Sequence, residues 1–447
     1  MNGSSPVSSQ AAFMRSEFGI ALLLCLHIAA CCWSLVYAVD SFPGITDFDR
    51  ANLPLALLIV APFAIVSILF AISRFSFGYP LGFYFYTMIL GYLWLIEFSQ
   101  LPYNHALAAA SMFLSGMAFL VPALFIIAPI RQRIVLSAHA FEVMPSLILI
   151  LGAIVVAVGA YYNFRLVGLS DIYRFREGLE FPVPLRYAIG MISNALLPFA
   201  YACFLVRGNR WRAGTALLLI LPFYPITLTK TSLLAPFWLL FLTLLSAAFS
   251  IRTAVVLSLL LPISLGIALR LLSTAGVVPW ALEAQYFGTV NSRMIAMPSV
   301  ALEVYSHYFS THDLTHFCQI NILKLFIDCP YNEQISLVMS KAYPLGAFNA
   351  SLFATEGIAS VGPVFAPLAA LGAGLVIALA NRLSAGLPPK LILLSGGVLL
   401  QIFLNVPLST TLLSDGAALL FLLWYITPRA ELQHSQSASE VKDRERK

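Results

Sequence analysis

Between Asn163 and Arg186 the chain reads NFRLVGLSDIYRFREGLEFPVPLR. Four guanidinium groups, Arg165, Arg174, Arg176 and Arg186, stand there beside three carboxylates, Asp171, Glu177 and Glu180. Guanidinium is planar, permanently charged and forked, so it takes phosphate or carboxylate oxygens two at a time. Flanked by long apolar stretches, this segment reads as a receptor for an anionic group, with phosphate the natural choice. Pairing of the arginines with their own three carboxylates at headgroup level is the plainer reading, because arginine snorkels readily at interfaces. The balance of charge favours the first, since Lys230, Arg270 and Arg293 add three cations on the same side of the apolar segments.

A second set of reactive groups lies in the long polar interval 273–356. Arg293 precedes Pro298, and Tyr305, His307 and Tyr308 follow at helical spacing in SVALEVYSHYFSTHDLTHF, residues 299–317. That run predicts a helix, and Ile320–Ile327 a short apolar one. Tyrosine and phenylalanine clusters suit stacking on sugar rings, which have apolar faces and polar edges; a merely amphipathic interfacial helix explains the same pattern. His312 and His316 have the spacing of a two-histidine metal face, but the sequence offers no clear third ligand and no metal is expected. Asn349-Ala-Ser351 matches a glycosylation sequon, on which no glycan is expected. Cys318 and Cys329 share this interval and leave a disulfide open; Cys25, Cys31, Cys32 and Cys203 fall in apolar segments and read as small core residues.

The elements that must position these groups follow from composition. Of 447 residues, 60% are hydrophobic and 10% charged, and the mean hydropathy is +0.88. Soluble domains carry about 25% charged residues, so the chain is an all-α polytopic membrane protein. The net charge of +5 includes no basic run beyond the KDRERK tail, which argues against nucleic acid as a partner. A bilayer core needs about 20 apolar residues per helix, and that length predicts twelve spans: 19–39, 53–73, 81–100, 106–128, 142–162, 187–206, 214–229, 231–250, 254–272, 357–380, 391–407 and 410–427. The resulting divisions are a tail at 1–18, nine helices over 19–272 with the arginine loop 163–186 between the fifth and sixth, the large loop 273–356, three helices over 357–427, and a tail at 428–447. Lys/Arg bias sets the orientation. With the N-terminus inside, the inner turns collect Arg74, Arg131, Arg133, Arg207, Arg210, Arg212, Arg252, Arg382 and Lys390. The 163–186 loop and the surroundings of 273–356 break that rule on the outer side. Ionisable groups at membrane depth are costly and mark function; Lys230 in TLTKTSLL, Arg270, Glu97 and Asp415 all fall near outer span ends and point to one outer cavity.

This arrangement resembles the Wzy-type O-antigen polymerases, also called oligosaccharide repeat unit polymerases. The resemblance rests on DIYRFREGL after the fifth span, on LTKTSLLAPFW, and on a large loop opening with NSRMIAMPSVALEVYSHYF and returning through NASLFATEGIASVGPVFAPL, and it covers roughly residues 160–420. It implies a GT-C-like architecture in a bacterial inner membrane, both termini cytoplasmic and the active site periplasmic. It also implies metal-independent, inverting transfer of a glycan from undecaprenyl pyrophosphate to another lipid-linked repeat unit, with no cofactor and a chain-length regulator as partner. On that reading Arg174, Arg176, Arg293 and Lys230 neutralise the leaving diphosphate, with Arg165, Arg186, Arg270 and Tyr305 completing the substrate surface. One base takes the proton of the attacking hydroxyl: Glu177 and His307 come first, then Glu303 and Glu283. An O-antigen ligase or capsule transferase needs the same diphosphate site and is the nearest rival. A precursor transporter or flippase is the rival of another class, disfavoured because SRFSFGYP between spans two and three lacks a carrier signature and no span carries a charge near its middle. Single cysteines tested with a membrane-impermeant maleimide on intact cells should be labelled at Ser170 and not at Asn209; the reverse pattern would invert the whole assignment.

Overall fold

The computed structural model describes residues 17–429, apart from 169–170, 173–174, 176–177, 321–322, 344 and 346–351. Arg174, Arg176, Glu177 and the sequon at Asn349 lie outside the described residues. Among the described residues the regular structure is all helical. Nine helices are long and apolar enough to cross a membrane: Glu17–Ser41, Arg50–Ile72, Gly78–Phe98, His105–Phe125, Ala138–Tyr162, Val183–Val206, Lys230–Ala248, Ile251–Thr274 and Ala354–Ser384. Helix is the form expected, because hydrocarbon offers no partner to a backbone N–H or C=O and an apolar run must satisfy them within itself. The chain is a polytopic membrane protein.

Nine of the twelve expected spans coincide with these helices. The stretch 214–229 is instead two pieces, Arg210–Ile220 and Phe223–Thr227, parted at Leu221-Pro222. The stretch 391–407 is Pro389–Phe403, of 15 residues. The stretch 410–427 is Leu408–Leu413 and Ala417–Ile426, parted at Ser414-Asp415-Gly416, where Gly416 takes φ +83°. Proline and left-handed glycine break a helix whatever the apolarity around them.

The elements used below are α1 Glu17–Ala38, α2 Leu53–Val66, α3 Gly78–Leu95, α4 His105–Phe125, α5 Ala138–Tyr162, α6 Val183–Met191, α7 Leu197–Val206, α8 Arg210–Ile220, α9 Phe223–Thr227, α10 Lys230–Ala248, α11 Ile251–Thr274, α12 Trp280–Thr289, α13 Met297–Tyr308, α14 Ile335–Ala342, α15 Leu352–Ser384, α16 Pro389–Phe403, α17 Leu408–Leu413 and α18 Ala417–Ile426. Every residue of α3 is buried, with α1, α2, α4, α11, α13, α15 and α16 packed around it. In a helix enclosed on all sides most buried polar atoms need a partner within the protein, although the Trp94 indole N–H finds none among the described residues. The Tyr84 hydroxyl meets Ser258 at 2.7 Å, and those of Tyr79 and Tyr86 donate to the Phe70 and Ala64 carbonyls.

The short turns sort the charges. Arg252 donates to the Ala71 carbonyl, Arg382 to Ala128, Arg207 to Phe141, and Arg429 to Leu383. These arginines, with Arg131 and Arg133 beside the Tyr425 hydroxyl, gather at one end of the bundle. Segments 40–52, 96–104 and 309–345 occupy the other: Gln100 N–H bonds the Ile45 carbonyl, and Tyr103 approaches His307. Within that loop-bearing end Cys318 and Cys329 form a disulfide, with Cα atoms 5.3 Å apart.

At the basic end one side chain joins three helices. Asn381 of α15 accepts from the Gly78 N–H at 2.7 Å and donates to the Ala123 carbonyl at 2.7 Å. A Cβ on Gly78 would stand 2.1 Å from the Ala123 oxygen, so only glycine permits this junction. Gly78→Ala should lower the melting midpoint in detergent by the equivalent of about 1–3 kcal/mol, the usual cost of overpacking. Gly372→Ala, whose Cβ meets nothing within 4 Å, should leave the midpoint in place. Equal melting of the two variants would remove the junction's claimed role.

Candidate functional site

The start of the arginine segment is docked on the bundle. α9 ends at Thr227 because Leu228 turns left-handed, φ 51°, and the last carbonyls of a helix have no partner within it. Asn163 supplies one, its Nδ2 donating to the Pro225 and Ile226 carbonyls at 3.1 and 2.7 Å, and the Arg165 N–H donates to Pro225 at 2.9 Å. Ile172 is buried against Tyr224 and Leu228, and the Tyr224 hydroxyl donates to the Val167 carbonyl. The first half of the arginine segment and the hairpin that begins α10 at Lys230 are thereby brought together at the loop-bearing end. Arg165 and Arg186 are exposed and form no ion pair among the described residues. Lys230 is half-buried and engaged.

Arg186 lies on α6 one turn before Gly190, which abuts the Ser414 carbonyl closely enough that a Cβ would stand 2.4 Å away. One turn further in, the helix widens into a π turn over Ile192–Leu196. There Asn194 Nδ2 donates to the Asp415 carboxylate at 3.0 Å. Asp415 is thus tied to α6–α7 at the break between α17 and α18. Glu97 sits apart from it, in the turn after α3, where its carbonyl accepts from Asn52.

Arg270 and Arg293 belong to another group of helices. Arg270 of α11 pairs with the buried Glu283 of α12 at 3.0 Å and lies over the Tyr37 ring at 5.2 Å. That ion pair ties α12 to α11 and occupies the Glu283 carboxylate. From there α12, a second π turn at Ser292–Ala296 and α13 run across α11, α1 and α3: Tyr286 donates to Pro262, Asn291 to Ile263 and Ser34, and Ser299 to Ile295 beside Gly91. Arg293 is exposed on that π turn and makes no ion pair among the described residues.

One face of α13 presses Glu303 into the bundle. Its side chain is fully buried and neither oxygen completes a hydrogen bond among the described residues. Burial pushes the carboxyl up to about 7, offset in part by the nearby Ser99 and Tyr103 hydroxyls. Above it the Tyr92 hydroxyl reaches Tyr103 and Ser306 at 3.2 and 3.3 Å. His307, one turn on, bonds the Tyr343 hydroxyl through Nδ1. Burial, then the charge of His312, holds His307 below its ordinary value, and burial raises the Tyr343 phenol to about 12. His307 is half-exposed, with no partner for Nε2 among the described residues.

The expected helix over 299–317 stops at Tyr308. His312 folds back to stack on the Tyr308 ring, centroids 3.8 Å apart, and His316 adopts φ 47°. The two histidines therefore do not share a helix face. Over 320–327 the described part is one 3-10 turn, Leu323–Leu325. Tyr305 takes the face of α13 away from Glu303 and lines a cavity of about 280 Å³ that also contains Glu356 of α15. Sequence reasoning passed over Glu356 because it stands in TEGIASVG at the foot of an apolar run, where nothing marks which wall it will face.

Glu303 has a measurable consequence. A carboxyl that keeps its proton to about pH 7 when folded, against an ordinary 4.5, makes the folded state the stronger proton binder between those values. Stability should then fall as pH rises across that window. The wild type should lose on the order of 3 kcal/mol, at about 1.4 per pH unit, between pH 5 and pH 8, and Glu303→Gln should lose much less in the same melts. Parallel curves for the two proteins would show that Glu303 does not titrate this way. Comparison with protein-family models, curated proteins and solved structures finds no match for this chain, so what the site does is argued from its own geometry.

Proposed function

We propose that the chain is a membrane glycosyltransferase acting on lipid-pyrophosphate-linked oligosaccharides, and within that class a polymerase of O-antigen or related repeat units. The observation that carries this reading is the docking of the start of the arginine segment, with Arg165, beside the Lys230 hairpin. It assembles cations at the end of the bundle opposite the basic turns, where a cytoplasmic arginine would have no reason to be. The basic end is then cytoplasmic and the loop-bearing end periplasmic, with twelve crossings once the broken stretches 210–227 and 408–426 and the short α16 are counted. A disulfide in the loop suits an oxidising compartment. The membrane would be the bacterial inner membrane.

In this mechanism the sugar hydroxyl of one lipid-linked unit attacks the anomeric carbon of another. The carbon–oxygen bond to the diphosphate breaks, and its electron pair leaves with the phosphate. Arg165, Arg186 and Lys230, with Arg174 and Arg176 of the same segment and Arg293 on the π turn, neutralise that charge as it develops. The hydroxyl proton goes to a single base. Glu283 is occupied by Arg270 and Glu303 is sealed from solvent, so His307 is the described member of the original set that fits. In the tautomer whose Nδ1 carries the proton and donates to Tyr343, Nε2 is the basic nitrogen, and a lowered pKa keeps the ring neutral and ready at pH 7. Arg270 serves this scheme by holding α12 in place.

Arg176→Ala and Arg293→Ala should each lose 2–4 kcal/mol of transition-state stabilisation, the scale of one lost oxyanion donor, at unchanged protein level. Lipopolysaccharide from cells carrying either variant as their sole copy should collapse from a ladder to core capped by one repeat. Bare core would identify a ligase instead, and an undiminished ladder in both variants would dismiss the arginine assignment.

A further inference from the structure

The cavity beside Tyr305 has a chemistry different from that of the arginine surface. It has a volume of about 280 Å³ and is walled by α13, the 315–320 turn, the start of α14, the first half of α15 and the turn into α17. No lysine or arginine is among the described residues that line it, so a diphosphate would enter without a counter-charge, and buried unpaired charge is strongly disfavoured. Its one carboxyl among the described residues is Glu356, whose Oε2 accepts from the Leu408 N–H at 3.4 Å. The rest is neutral and rich in hydrogen-bonding groups. The side chains of Gln334, Ser336 and Ser409 form no hydrogen bond among the described residues, nor does Glu356 Oε1, while Ser360 is held by Thr315 at 3.0 Å.

The wall at Ser360 is set by a kink. Gly362 takes φ +73° inside α15 and Pro363 follows it. Proline at 363 cannot donate to the Ala359 carbonyl four residues back. The loop supplies the missing donors, Thr315 N–H to Ala359 at 2.8 Å and His316 N–H to Ser360 at 3.1 Å. The cavity is thus built by the break and by the loop that satisfies it, and it opens to solvent past Gln334 and Thr410, both exposed.

We infer that this cavity is a subsite for one uncharged sugar residue, held by hydrogen bonds to Glu356, Gln334 and Ser409 with the Tyr305 ring beside it, and separate from the surface that binds phosphate. A pyranose has an apolar face for an aromatic ring and a rim of hydroxyls for neutral donors and a carboxylate acceptor. The volume lies near the lower end of the range for ligand pockets, which suits a single residue better than a chain. That the sugar belongs to a lipid-linked glycan rests on the proposed function; that the cavity takes a sugar rests on its own walls.

The test is saturation-transfer NMR on the full chain in nanodiscs with a panel of neutral methyl hexosides and N-acetylhexosamines, alongside pyrophosphate and choline as anionic and cationic probes. At least one neutral sugar should receive saturation, with affinity reduced tenfold or more by Glu356→Gln and by Ser409→Ala, each checked for an unchanged melting midpoint. Arg165→Ala and added pyrophosphate should leave that binding intact. Displacement of the sugar by pyrophosphate would merge this cavity with the anion surface and overturn the inference. Preferential binding of choline, lost in Glu356→Gln, would make it a cation site and overturn it equally, as would no binding by any sugar in the panel. Because no turnover is needed, sugar binding with an unaffected ladder in the arginine variants would leave the subsite standing while the arginine assignment fell, and the converse result would do the opposite.

Discussion

A helix that stops inside an apolar bundle leaves N–H and C=O groups with no water to take them. Much of this fold follows from how those groups are met. Asn381 joins the start of α3 to the end of α4, and Asn163 takes the last carbonyls of α9. The Thr315 and His316 amides take the two carbonyls released at the Gly362 kink. An amide side chain can donate and accept at once, as Asn381 does between Gly78 and Ala123. An unsatisfied group there would cost several kcal/mol, so each junction fixes which segments must meet.

The functional geometry is a consequence. Because Asn163 and Arg165 N–H bind the end of α9, the start of the arginine segment is held beside the Lys230 hairpin. Because the loop 315–316 must cover the kink in α15, a cavity opens between α13, α15 and α17. Polar chemistry thus concentrates where helices break, and the two breaks carry opposite chemistry: exposed guanidinium groups at one, neutral hydroxyls and a carboxylate at the other. A substrate with a charged head and a neutral glycan would need both.

Charge placement obeys a second constraint. At the basic end Arg207, Arg252, Arg382 and Arg429 lie on backbone carbonyls, Arg207 also over the Phe141 ring at 4.3 Å, and so serve the fold. Of those at the loop-bearing end, Arg270 does the same through Glu283 and Tyr37, whereas Arg165, Arg186 and Arg293 are exposed. The sequence reading counted Arg270 among the substrate-binding cations, since a residue's type and depth say nothing about whether a carboxylate on a neighbouring helix reaches it first.

What the sequence by itself determined was whatever depends on residues near one another in the chain. Apolar runs of bilayer length located the nine membrane-length helices, the Lys/Arg bias sorted their ends, and the arginine segment and aromatic run at 299–308 stood out by composition. Tertiary structure alone decided that Glu303 is sealed and Glu356 lies in a cavity, that His312 and His316 part company beyond Tyr308, and that Asn194 holds Asp415. The physical reason is that hydropathy reports transfer from water, which each side chain feels separately. A hydrogen bond between helices depends on which two helices touch, and in lipid every apolar face is compatible with every other.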